Sequence, residues 1–225
     1  MHSPGMTGVF AVQQIQSVDP LQPNQGLIGR AADLLRAGRL VGYPTETFYG
    51  LAADPRSPQA IEAIFAAKGR PERMALPLIA ADRAAVCACV REFSDIAERL
   101  AAAFWPGALT LVLPASPSLP PRLLGGGQTV GIRISPNPVA GALARAFGGP
   151  IVATSANRSG QPAPMSALEV QEALGNDVAL ILDGGQSRGG QASTVLDLTC
   201  DPARVVRSGA VPLSAIEQIL GRRLG

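Results

Sequence analysis

The chain has 225 residues, 47% of them hydrophobic, and a formal charge of +2. That is enough for one large domain or two small ones. The charge is too weak to argue for nucleic acid by itself, so any nucleic-acid surface has to be local.

The one histidine is His2, in a terminus containing Gly, Pro and Ser. This removes Ser-His-Asp and Cys-His catalysis and every histidine-bearing metal site. Cys87 and Cys89 form a Cys-Ala-Cys spacing that suits neither zinc nor redox chemistry, and with Cys200 the count is odd. Small apolar packers in a reducing cytosol are expected. Residues 1–24 lack a basic start followed by an apolar block. The most apolar window, Leu100–Leu113, is short for a membrane span and is broken by Trp105-Pro106-Gly107. A cytoplasmic protein without membrane attachment is the expectation.

In chain order, residues 1–24 show no sustained period and are expected to form an irregular segment, with one domain over 25–225. Asn24 reads as an N-cap, and Leu27, Ile28, Ala31, Leu34 and Leu35 share one helical face. A strand over 39–43 follows. It runs into the stretch Tyr43-Pro-Thr-Glu-Thr-Phe-Tyr-Gly-Leu-Ala-Ala-Asp54, a turn displaying Thr45, Glu46, Thr47 and Tyr49. Ser57-Pro58 starts a helix that stops at Lys68-Gly69. Leu76–Ala80 is a predicted strand, and Asp82 and Ser94 cap two short helices. Strands are predicted over 109–113 and 129–134, a helix from Asn137-Pro138 to Phe147, and a buried strand over 150–154. Ser166-Ala-Leu-Glu169 is a capping box for a helix to Leu174. Strands over 178–182, 194–198 and 204–207 precede a last helix capped by Ser214. Strands and helices alternate in mixed order. The expected fold is therefore a single α/β domain around a large twisted sheet of mixed direction, flanked by helices.

Four groups could carry chemistry. Lys68 and Arg70 flank Gly69, which lets two cations converge on a phosphate chain, Lys as a point charge and Arg as a fork; a solvated pair at a helix C-terminus is the plain alternative. Ser155 and Asn157 lie just past a buried strand, where open α/β sheets build sites, although they can equally satisfy their own turn. Arg133 interrupts an apolar strand and needs an anion if buried. Thr129, Gly131 and Arg133 share one strand face. Ser193-Thr194 opens a strand and Arg207 ends one. No G-x-x-x-x-G-K-[ST] or post-strand G-x-G-x-x-G occurs, so any nucleotide must use another cradle.

Six motifs occur in one order: Tyr-Pro-Thr-Glu-Thr-x-Tyr-Gly-Leu (43–51), Lys-Gly-Arg-Pro (68–71), Trp-Pro-Gly-x-Leu-Thr (105–110), Val-x-Ile-Arg (130–133), Thr-Ser-Ala-Asn-x-Ser-Gly (154–160) and Ser-Thr-Val-x-Asp-Leu (193–198). Over roughly residues 25–221 the chain resembles the YrdC-type threonylcarbamoyl-AMP synthases. The resemblance implies a twisted sheet enclosing a large basic cavity. It also implies a reaction in which L-threonine, bicarbonate and ATP, with Mg²⁺, give threonylcarbamoyl-adenylate and pyrophosphate. Partner enzymes would then transfer the group to tRNA. By resemblance, Lys68, Arg70, Ser155 and Asn157 hold the ATP phosphates, and Lys68 and Arg70 carry the catalysis. Thr45, Arg133 and Ser193 hold threonine, and Thr129 and Arg207 line the nucleotide side.

Two departures stand out. Leu76 and Ala81 occupy positions that are Asn and His in many members, and the chain ends near residue 225, as in the single-domain version. An RNA-binding module of the same fold is the alternative, with Lys68, Arg70, Arg73 and Arg133 contacting phosphates of tRNA or double-stranded RNA. A carbamoyl-adenylate activity like that of hydrogenase-maturation relatives is a third, in which chains are much longer.

Overall fold

The computed structural model describes residues 14–69 and 73–224. The elements run β1 (Ile15–Ser17), α1 (Gln25–Arg36), β2 (Val41–Tyr43), β3 (Gly50–Ala52), α2 (Pro58–Lys68), β4 (Leu78–Ala80), α3 (Arg83–Cys87) and α4 (Asp95–Phe104). They continue with β5 (Leu109–Pro114), β6 (Thr129–Ile134), α5 (Pro138–Phe147), β7 (Ile151–Val152), β8 (Thr154–Ser155), α6 (Ala167–Leu174), β9 (Leu180–Asp183), β10 (Thr194–Asp197), β11 (Arg204–Arg207) and α7 (Leu213–Leu220).

The mixed α/β class is the one expected, but the strands divide between two sheets. One has the order β1-β9-β2-β3-β8, the other β11-β10-β5-β6-β4-β7, and both mix parallel and antiparallel pairs. The strand predicted over 150–154 is where they meet. Ile151 and Val152 pair with β4 in the second sheet, and two residues on, Thr154 and Ser155 pair with β3 in the first. Ala153 makes the crossing, with its N–H on the Pro77 carbonyl at 2.8 Å.

Helix starts follow the chemistry of their caps. The side chains of Asn24, Ser57, Asp82, Ser94, Asn137 and Ser166 each accept an N–H from the first turn of their helix. Glu169 does reach back, but to the N–H of Met165, one residue ahead of the cap, at 2.8 Å. The last helix departs from expectation. It begins after Pro212, with no side-chain cap, and Ser214 lies inside it. The N-terminal segment departs too: Ile15–Ser17 adds a parallel strand to β9, and Val18 is buried. Three residues are too few to show a period, and their partner lies more than 160 residues away. Residues 1–13 lie outside the described part.

Two apolar clusters hold the sheets. One joins α1 and α5 across Val41, Tyr43, Ile79, Ile151 and Leu180, so it touches both sheets. The other packs Ile61 and Ile64 of α2, Leu100 of α4 and Ile216 of α7 on strand residues such as Leu78, Leu111 and Ile132. Leu76, at the family's Asn position, belongs to this second cluster and is 1% exposed. Burying such a side chain contributes about 2 kcal/mol. Ala81 is half-buried against the α1–α5 cluster. Both departures from the family pattern are thus packing residues, and neither lines the cleft described next.

A cationic cleft walled by both sheets

A cavity of about 690 Å³ is walled by residues of both sheets. From the first come Tyr43, the β2–β3 loop and Ser155; from the second come Thr110, Thr129, Gly131, Arg133, Ser193, Asp197, Arg204 and Arg207. A smaller cavity of about 320 Å³ beside Arg36 and Arg56 contains none of the predicted site residues.

The stretch 43–54 is a hairpin rather than a strand and a turn. β2 and β3 pair antiparallel with Tyr43 opposite Gly50, so Pro44–Tyr49 form its loop. Gly50 is needed here because a Cβ would lie 2.9 Å from the Tyr43 ring. The Thr45 hydroxyl lines the cleft, yet it also closes its own loop, donating to the Phe48 carbonyl at 2.6 Å and accepting the Thr47 N–H at 3.2 Å. Tyr49 is fully buried and lashes the hairpin to the loop after β9. Its hydroxyl donates to the Gly185 carbonyl at 2.7 Å and accepts the Gly184 N–H at 3.2 Å. Burial and the neighbouring Asp183 carboxylate push its pKa up.

On β6, Thr129, Gly131 and Arg133 all face the cleft, as strand alternation predicts. Arg133 is 8% exposed, and the anion it needs is Glu46 of the hairpin loop, with Nη1 2.7 Å from Oε1. The other Glu46 oxygen accepts the Ser135 hydroxyl at 2.6 Å. This pairing was legible in principle, because an acid in a polar loop and a lone arginine in an apolar strand each want a partner.

Arg207, at the end of β11, grips Ser193. Nε and Nη2 donate to the Ser193 carbonyl at 3.1 and 2.8 Å, and Nη2 reaches the hydroxyl at 3.0 Å. That hydroxyl also meets Thr110 Oγ1 at 3.0 Å. Burial first, then the nearby Arg133 charge, lowers the Arg207 pKa. Asp197 pairs with Arg204 at 3.0 Å across the β10–β11 ladder, in which the two are register partners. Thr110, Asp197 and Arg204 were not singled out from sequence. The Asp–Arg pair could have been, as opposite charges at the facing ends of consecutive strands. Among the described residues, the cleft wall carries three arginines and one carboxylate, Asp197, which pairs with Arg204; Glu46, which is not part of the wall, pairs with Arg133, and Arg207 is the one without an acid.

Lys68 is 3% exposed, not solvated. Its ammonium donates to the Ser155 carbonyl, to the Asn157 carbonyl at 2.6 Å and to Asn157 Oδ1 at 3.4 Å. Gly69 follows in the left-handed region at φ 57°. The Asn157 amide donates to the carbonyls of Arg158 and Gln161 at 3.1 and 2.5 Å, so it serves its own turn. Thus Lys68, Ser155 and Asn157 are brought together, but only Ser155 lines the cleft. Arg70 lies outside the described residues.

These features define an α/β protein with an anion-seeking cleft set between two mixed sheets. A family model described as telomere recombination, that of the Sua5/YciO/YrdC domain, matches residues 33–209. The chain belongs to this family, as the six ordered motifs suggested. It is 43% identical over 191 residues to the threonylcarbamoyl-AMP synthase of Pyrococcus abyssi, covering 85% of this chain and 56% of that one. It is 39% identical to a putative threonylcarbamoyl-AMP synthase of Mycobacterium tuberculosis, covering 90% of this chain and 93% of the relative. It superposes on P. abyssi Sua5 complexed with L-threonine with a TM-score of 0.90 and 40% identity, over 95% of this chain and 63% of that chain. The chain therefore spans less than two thirds of the archaeal relative. No helix among the described residues is long and apolar enough to cross a membrane.

Proposed function

We propose that this protein is a nucleotidyltransferase that makes threonylcarbamoyl-AMP. One L-threonine, one bicarbonate and one ATP give the adenylate, pyrophosphate and water. The observation that carries the reading is the cleft holding Arg133 and Arg207 together, with one carboxylate, Glu46, paired to Arg133. A site with surplus positive charge, lined by hydroxyls, suits an amino-acid carboxylate beside a nucleotide phosphate.

In this reading Arg133 takes the threonine carboxylate, with the Thr45 and Ser193 hydroxyls beside it. The amine attacks carbon dioxide or bicarbonate, and the resulting carbamate oxygen attacks the α-phosphorus, expelling pyrophosphate. Arg207 and Thr129 face the nucleotide, and Arg70 reaches its phosphates. Lys68 holds the Ser155–Asn157 turn that presents Ser155 to them. The work is positioning and charge neutralisation, which need no histidine. Mg²⁺ enters with ATP and spreads phosphate charge when bound. Glu46 and Asp197 are both committed to arginines, and no three His, Cys, Asp or Glu cluster among the described residues, so the phosphate oxygens would hold the ion. The product suits partner enzymes that modify tRNA, and a cytoplasmic location follows from that use.

The test is pyrophosphate release by the purified protein with ATP, Mg²⁺ and bicarbonate. Release that depends on L-threonine, and that serine or alanine does not support, is expected. Threonine-independent release, or none, would overturn the reading.

A further inference from the structure

Arg133 lines the cleft from β6 of one sheet, and Glu46, from the β2–β3 loop of the other, pairs with it. Glu46 cannot swing away freely: its second oxygen takes the Ser135 hydroxyl, which in turn accepts the N–H of Asn137, the cap of α5. The facing atoms, Nη1 and Oε1, are both buried and 2.7 Å apart, yet neither has a well-angled hydrogen bond among the described residues. The neighbouring guanidinium, Arg207, binds a carbonyl and a hydroxyl but, among the described residues, no acid. Two uncompensated guanidiniums side by side would form a polyanion trap, best filled by phosphate. With Glu46 present, formal charge is balanced at Arg133, and among the described cleft arginines it is uncompensated at Arg207.

We propose that Glu46 is the residue that sets the specificity of Arg133: it balances and orients the guanidinium so that it takes the single carboxylate of an amino acid and leaves polyphosphate to Arg207. Glu46 acts through Arg133 and is a positioning residue. The inference deepens the synthase reading and rests on it for the identity of the amino acid.

The experiment measures L-threonine and pyrophosphate binding separately by calorimetry, with steady-state turnover, in the wild type, Glu46→Gln and Glu46→Asp. Glu46→Gln removes the charge. Its KM for threonine should rise roughly tenfold or more, the scale of one charged hydrogen bond, while kcat changes by less than about threefold. Its pyrophosphate affinity should rise by about tenfold on the same scale. Glu46→Asp keeps the charge but shortens the reach, so threonine should weaken while pyrophosphate binding stays as in the wild type. If Glu46→Gln does not fold, that split in Glu46→Asp decides alone. Unchanged affinities, or equal weakening of both ligands as mere loss of structure would give, overturn the proposal. A wild type that binds no threonine sinks the synthase reading; tighter pyrophosphate binding by Glu46→Gln would then still uphold charge balancing, and its absence would overturn that too.

Discussion

Replacing Lys68 with methionine separates two roles that the sequence could not. Methionine keeps most of the side-chain length and apolar stem but removes the ammonium. In the folded protein that ammonium satisfies the Ser155 and Asn157 carbonyls and touches Asn157 Oδ1 more weakly. Leaving two acceptors without their donor costs about 1–3 kcal/mol each, partly offset because a desolvated charge is also removed. A net loss of about 3 kcal/mol is expected. For a chain of this size that lowers the melting temperature by roughly 6–12 °C. Thermal unfolding followed by circular dichroism reads the loss, and pyrophosphate release measured well below the melting point reads activity. Both should fall, and the KM for ATP should rise because Ser155 is no longer held. A Lys68→Met variant that melts within about 2 °C of the wild type yet is inactive would refute the reasoning. The ammonium would then serve the ligand and not the turn.

Two further outcomes follow from the same cleft. Gly50→Ala places a Cβ 2.9 Å from the packed Tyr43 ring and should destabilise by about 1–3 kcal/mol in urea titrations. In the Tyr43→Ala background the same change should cost little, and full additivity would deny the clash. Asp197 tests acid sensitivity. Burial pushes its carboxyl up, but the Thr199 hydroxyl and N–H, and then Arg204, together hold it below the ordinary carboxylate value. A depressed folded pKa gives stability that is present above the unfolded value and lost as pH falls through the folded one. Asp197→Asn should therefore be less stable than the wild type near neutral pH, by about 1 kcal/mol, with the gap closing in strong acid. A gap that persists in acid would show that charge is not its source.

Local chemistry was the legible part. Six predicted caps hold their helices, because an N-cap is decided within four residues. The alternation that aligned Thr129, Gly131 and Arg133 is equally local. What stayed hidden is long-range. Nothing near Ile15 announces Ile181, and nothing in Ile151–Ser155 marks the change of sheet. The site shows the same division. The residues were visible, Glu46, Arg133, Lys68, Ser155 and Asn157 among them, but which of them meet depends on how distant loops close. Ser214 failed as a cap for a different reason: Pro212 already ends the extended segment, and the helix starts behind it.

The single-residue passage at Ala153 also fixes how much change the chain can absorb there. Side chains on a strand alternate, so one inserted or deleted residue turns the whole following strand over. Next to Ala153, such an event would turn over Thr154 and Ser155, both of which line the cleft. The Ser155 carbonyl that Lys68 requires would turn with them. This junction keeps count, and its length is as much a part of the site as any side chain in it.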